Sequence, residues 1–309
     1  MTGTAFALVT RDELWSLGSE HILLERRLIH GVATRHGDEI RASDSLDPEC
    51  DRICLAEMSS FGRRMLDSVR SSAGSRPGTI RLIVSAWQDG GTVSSHSSCS
   101  LTMGSMSLIS DAEHIGADAM LLATVSARDP EISIDYRTVP ILWRNGSGAV
   151  LLHEAAGHPA ELLHHPIDWP RWLSVNDGDA DLLRGSSPLK MRRASFADIP
   201  VRRMSHLVAR QDGAAFDLPE RRLEVQLVAA GGYEPLTGMV TLQIPAADLI
   251  DGESIRAVRP FTLHETRQAV AKALIGAGGD PLRYPGVVCS REGQSLVVGS
   301  EAPLMLTSF

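Results

Sequence analysis

Residues 151–161 read LLHEAAGHPAE, and within them His153, Glu154 and His158 set the tightest limit on what the chain can fold into. Neutral imidazole nitrogen is a favoured donor for divalent zinc, and a catalytic zinc keeps one position open for water. A glutamate beside the first histidine is placed to take a proton from that water while the metal polarises a carbonyl. The histidines are five residues apart, one more than in the common HExxH arrangement. At 3.6 residues per turn, side chains four apart lie about 40° from each other around a helix, and side chains five apart about 140°. A straight α-helix therefore cannot aim both imidazoles at one ion. The spacing predicts a kink or a π-type turn between them. Gly157 and Pro159 flank His158 and permit such a break. From these residues alone, the competing reading is a buried helix with two satisfied histidines.

Composition narrows the classes. The 309 residues are 43% hydrophobic and 22% charged, enough for a sizeable core and, by length, for two domains. A net charge of -8 argues against a nucleic-acid partner, and Arg192-Arg193 and Arg202-Arg203 are only short doublets. Aromatic residues, at 5%, offer no stacking platform for single strands. No apolar run approaches the roughly 20 residues of a membrane helix, so no membrane association is expected. The first residues, MTGTAFALVTRDELWS, lack a basic start and reach Asp12 and Glu13 early, unlike a signal peptide. Cys50, Cys54, Cys99 and Cys289 are too few for a disulfide framework, which predicts a reduced, cytoplasmic protein.

Along the chain, residues 20–33 predict a strand or short helix, and residues 48–71 an amphipathic helix with Ile53, Met58, Phe61, Met65 and Val69 near one face. Thr79 to Trp87 predicts a strand, and the Ser/Gly-rich segment after it reads as either a loop or a small-residue strand. Residues 138–152 hold a strand, a Gly/Ser turn and a new apolar run. Further strands are expected at 221–229, 237–247 and 254–261, and a helix at about 264–277 capped by Gly278-Gly279. The stretch VVCSREGQSLVVG predicts a closing hairpin. The expected fold class is α+β, with an N-terminal α/β region over 1–137 and a strand-rich C-terminal domain over 138–309 that carries the candidate chemistry.

Four segments, in order, resemble the TldD/PmbA metallopeptidases. LLHEAAGHPAE at 151–161 is similar to that family's metal helix, and CSREGQSLVVGSEAP at 289–303 to its C-terminal motif. Between them, RRMSHLVA at 202–209 and TGMVTLQIPAADLIDGE at 237–253 resemble two family strands. The resemblance covers roughly residues 140–309 and is closest to the active, TldD-like type with a shortened N-terminal region. It implies a zinc-dependent peptidase acting on small or unfolded peptides, in peptide maturation or degradation. The metal would be held by His153, His158 and Cys289, with Glu154 as general base. It also implies that substrate is bound as an added strand, and that the chain forms a homodimer or a heterodimer with a related subunit. The alternative is a non-catalytic, metal-binding scaffold subunit. Cys-Ser-Arg replaces the family's Cys-Gly-Lys and Ser205-His206 its Thr-Asn, which leaves substrate and partner open.

Other residues have weaker readings. Glu161 either orients a ligand from behind or is a solvated surface glutamate. His164 and His165 are substitute ligands or a polar turn before Pro166. His206 is a candidate oxyanion or substrate contact, and Arg291 a neighbour favouring a Cys289 thiolate. His264-Glu265 reads as a helix start, Cys50 and Cys54 as plain thiols, and Arg202-Arg203 as a solvated strand end or a partner for a peptide carboxylate.

Overall fold

In the computed structural model the described residues are 4–17, 22–36, 39–43, 67–69, 71, 78–89, 92–103, 106–111, 113–185, 188–192, 199–212 and 216–309. The fold is α+β and rich in strands. It divides into two compact units, Met1–Ser126 with Ala194–Ile199, and Ala127–Arg193 with Pro200–Phe309.

In the first unit six strands form an antiparallel sheet. They are β1 (Thr4–Leu17), β2 (Ile22–His36), β3 (Glu39–Ser43), β4 (Gly78–Asp89), β5 (Thr92–Met103) and β6 (Met106–Ser110). Their order is β3-β2-β1-β4-β5-β6. Of residues 20–33, 22–33 thus take the strand form, and the described residues of the Ser/Gly-rich segment lie in β5 and β6. In these two strands the apolar residues Cys99, Leu101, Met103 and Leu108 are buried. The helix Ile115–Ser126 buries Ile115, Ala119 and Leu122, and its Asp118 accepts from Ser110 Oγ at 2.5 Å. Of the amphipathic helix expected at 48–71, Asp67–Val69 and Ser71 are helical; the rest lies outside the described residues.

The second unit is built around β7 (Ile141–Trp143), three consecutive buried residues. A run apolar on both faces belongs in the middle of a sheet. β7 lies parallel to β13 (Arg221–Leu227) and antiparallel to β20 (Gln294–Thr307). Before these come β8 (Leu173–Asp177), β9 (Ala180–Asp181), β10 (Met191–Arg192), β11 (Val201–Arg202) and β12 (His206–Gln211). β12 runs parallel to β20 and pairs with β8. β16 (Ala246–Asp251) and β17 (Ser254–Val258) extend the sheet beyond β13, and β19 (Leu274–Arg291) pairs with β20. A separate antiparallel sheet of β14 (Ala230–Glu234), β15 (Met239–Ile244) and β18 (Phe261–Thr266) has β14 at one edge.

Two expectations are corrected. The helix predicted at 264–277 is confined to Arg267–Ala273, because the Thr266 hydroxyl caps it by accepting from Ala269 N–H at 3.1 Å. His264 and Glu265 therefore end β18 and do not start a helix. Gly278-Gly279 is no helix cap: it lies within β19, where the pairing with β20 shifts register between Gly278 and Leu282. The predicted hairpin at 287–299 exists but is the tip of a much longer one, turning through Glu292 and Gly293 at φ 52° and 77°. Positive φ at both turn residues gives the twist that a two-residue hairpin needs. No helix among the described residues is long and apolar enough to cross a membrane.

Candidate metal centre

After β7 the chain turns through Asn145 and Gly146, both at positive φ. A Cβ on Gly146 would sit 3.1 Å from the Tyr284 amide nitrogen, so β19 can pass close by only because position 146 is glycine. The helix that follows, Gly148–Leu152, is buried on every side. At His153–Gly157 it widens into a π-turn, then resumes as His158–Glu161. The His158 N–H bonds to the carbonyl of His153, five residues back. That one extra residue per turn cancels the misalignment of the five-residue spacing. The rings of His153 and His158 come to 4.9 Å between centroids, at 82°. Gly157 permits the widening against a neighbour: a Cβ there would lie 2.7 Å from Met204 Cε.

Cys289, near the hairpin tip on β19, completes a cluster. Donor atoms of His153, His158 and Cys289 all lie within 4.8 Å of one another. His158 Nε2 is 3.6 Å from Cys289 Sγ. Tetrahedral zinc with bonds of about 2.05 Å to nitrogen and 2.3 Å to sulfur would separate those donors by about 3.6 Å. A thiol–imidazole hydrogen bond could have the same length, so the distance alone does not decide. His153 decides more: its Nδ1 is buried with no hydrogen-bond partner, a state that costs free energy unless something binds there. Imidazole and thiolate are the donor types that suit zinc. The residues fit the ion.

Behind His158 lies Glu161, which is only 1% exposed and not on the surface. Its Oε2 meets His158 Nδ1 at 2.9 Å, which leaves Nε2 facing Cys289. Its Oε1 accepts from Met204 N–H at 2.8 Å and lies 3.5 Å from Arg203 Nε. Arg203 is wholly buried, contrary to the solvated strand end expected of its doublet. Its guanidinium donates to the carbonyls of Cys289 at 2.5 Å and Gln294 at 3.3 Å. One arginine thus ties the motif helix to the hairpin that carries the thiol. Arg291 is directed at Glu161, 3.7 Å away, and at the Arg202 carbonyl.

Charge sorts the two histidines. Burial holds His153 well below the ordinary imidazole range, with His158 and Arg203 adding to it. Burial also disfavours a charged His158, but the hydrogen bonds it donates to Cys289 and Glu161, with the Glu154 carboxyl nearby, outweigh that and raise it to about 10. Glu154 is 4% exposed, and burial raises its carboxyl to about 7. Its Oε2 stands 3.5 Å from His158 Nε2 without a hydrogen-bond partner. Against it lies the bare backbone of β14: a Cβ on Gly231 would be 2.8 Å from Glu154 Cδ. The Tyr284 hydroxyl pins the entry to that strand by bonding both N–H and C=O of Val228 at 2.8 Å.

The structure brings His153, Glu154, His158 and Cys289 together. It does not bring in the substitute ligands. His164 meets the Tyr233 hydroxyl at 2.8 Å, and the His165 carbonyl accepts from Arg267. His206 pairs with Glu301 at 2.8 Å. Cys50 and Cys54 lie outside the described residues, and burial pushes the Cys99 thiol strongly up. Sequence reasoning missed Gly231 and the burial of Arg203. A glycine inside a strand is a signal of close backbone approach, and Gly231-Gly232 carried it.

No family model matches the chain, and no curated protein matches it in sequence. Solved structures do match. TldE from Thermococcus kodakarensis aligns over 100% of this chain and 96% of its own, at 10% identity and a TM-score of 0.55. A Bacteroides thetaiotaomicron protein, given as a candidate modulator of DNA gyrase, aligns over 99% and 94% at 11% identity and a TM-score of 0.53. The chain has a TldD/PmbA-like fold.

Proposed function

We propose that this chain, on its TldD/PmbA-like fold, is a zinc-dependent metallopeptidase. The observation that carries the reading is the π-turn, which aligns His153 with His158 opposite Cys289 and leaves Glu154 beside the cluster. His153, His158 and Cys289 would be the ligands. Zinc held by these donors would supply a Lewis acid with one open position for water and a substrate carbonyl. Glu154 would take the proton from the attacking water and pass it to the leaving nitrogen. Its burial beside the cluster, with Oε2 3.5 Å from His158 Nε2 and without a hydrogen-bond partner, leaves that oxygen available for both duties. Glu161 would hold the His158 tautomer, and burial would keep His153 neutral, as a ligand must be. A peptide would lie as an added strand along β14, whose glycines leave its backbone accessible. Small or unfolded peptides are the substrates this suits, and the chain would work as a homodimer or with a related subunit.

The test is zinc content by elemental analysis, in protein purified without chelator. About one zinc per chain, largely lost in His153→Ala and in Cys289→Ala, is expected. Glu154→Gln should keep the metal and lose peptide hydrolysis. Zinc with no peptidase activity, even with a partner subunit supplied, would favour the scaffold reading; no zinc would remove the metal centre.

A further inference from the structure

A cavity of about 250 Å³ begins one residue after His158, where Pro159 forms part of its wall. Leu163, Leu182, Leu183 and Leu189 supply its apolar wall, and three charged side chains line it: Asp181 and Arg184, which pair with each other at 3.4 Å, and Arg267. That side chain is only 6% exposed. It donates to the His165 carbonyl at 3.3 Å and shares a hydrogen bond with Tyr233, while its Nε is buried without a partner. No carboxylate among the described residues pairs with it. Asp181 lines the same cavity, but its oxygens are taken by the Leu183 and Arg184 amides and the Arg184 side chain.

An arginine whose only task was to brace the 164–166 turn would not need its charge. A buried guanidinium without a counter-ion is costly, and its planar fork matches a carboxylate. The placement is specific too. Gly231 lies against Glu154, and Tyr233 lies against His164 and Arg267. Two residues apart on β14, they share a face and are separated by about 7 Å. A peptide extended along β14 with a carbonyl at Glu154 therefore reaches the arginine cavity one or two residues further on.

We propose that this cavity receives the C-terminal carboxylate of the peptide substrate, with an apolar terminal side chain against the leucines, and so directs cleavage to the last or penultimate bond. Water would add its hydroxyl to the scissile carbonyl carbon and its proton to the leaving nitrogen. The released piece would be an amino acid or dipeptide with its carboxylate on Arg267. This inference rests on the peptidase reading above.

The experiment is calorimetric titration of full-length Glu154→Gln protein with acetyl-alanyl-leucine and, separately, with its C-terminal amide. The free acid should bind at least tenfold tighter. Arg267→Met should erase the difference and Arg267→Lys should keep part of it, with melting temperatures recorded for both. Equal binding of acid and amide, or binding of neither, overturns the proposal without reference to any Arg267 variant. Equal cleavage of amidated and free peptides at internal bonds by the unsubstituted protein also overturns it, while leaving the peptidase reading intact. A clear acid preference with no cleavage of any peptide removes the peptidase reading and leaves the carboxylate site standing.

Discussion

At the scale of single residues, the least conspicuous one beside Glu154 is a glycine. Position 231 has no side chain because Glu154 occupies that space. Gly231→Ala should move the carboxylate or the strand, lowering kcat by about 100-fold through misplacement of a reacting group. Zinc content should stay unchanged, and kinetics alongside elemental analysis checks both. Glu154 makes a second prediction. In the metal-free chain its carboxyl sits at about 7, above the ordinary 4.5. A raised folded value contributes stability that is complete below about pH 4.5 and lost as pH rises through about 7. Compared across that window, the urea midpoint of the metal-free parent should fall relative to that of Glu154→Gln, while His153, lowered by burial, acts in the opposite direction in both. The HExxxH residues were legible in the sequence because their chemistry is local. Gly231 and Arg203 were not, and Glu161 was legible only as one of two readings, since each role depends on what a distant segment presses against it.

At the scale of elements, the π-turn was legible as a requirement because a straight helix could not have served the spacing. Its packing was not legible. Gly157→Ala would ordinarily stabilise a helix by about 1 kcal/mol. Here the new methyl overlaps the buried Met204 thioether, so a net loss of about 1–3 kcal/mol is expected. Adding Met204→Ala should recover part of the clash, and a double-mutant cycle of urea midpoints measures the coupling. The helix forecast at 264–277 failed for a related reason. Its last residues satisfy helical periodicity, but Leu274 and Ala277 are buried as strand residues against β20, and tertiary pairing overrides local propensity.

At the scale of the whole molecule, Arg203 joins segments that the sequence keeps far apart: Glu161, Cys289 and Gln294. Arg203→Met should cost about 3–5 kcal/mol, because a buried carboxylate and two carbonyls lose their partner. It should also weaken zinc binding although every ligand remains, which a competition titration with a chromogenic chelator would show. Ligand binding to the folded state alone raises stability by mass action. Zinc should therefore raise the melting temperature of the parent and leave that of His153→Ala nearly unchanged, by calorimetry.

The separation of 131 positions from His158 to Cys289 also imposes an order in time. During synthesis the two histidines leave the ribosome long before the thiol, and a domain folds as a unit once its segments have been made. Until β19 has been made and paired, the motif helix has two donors and no third, and the carboxylate beside them has no tightly held metal to work with. On the proposed reading, a chain that would cut unfolded peptides is itself an unfolded peptide while it is being made. Placing the last donor so late would then mean that hydrolytic capacity arrives only when the nascent strand has ceased to resemble its own prey.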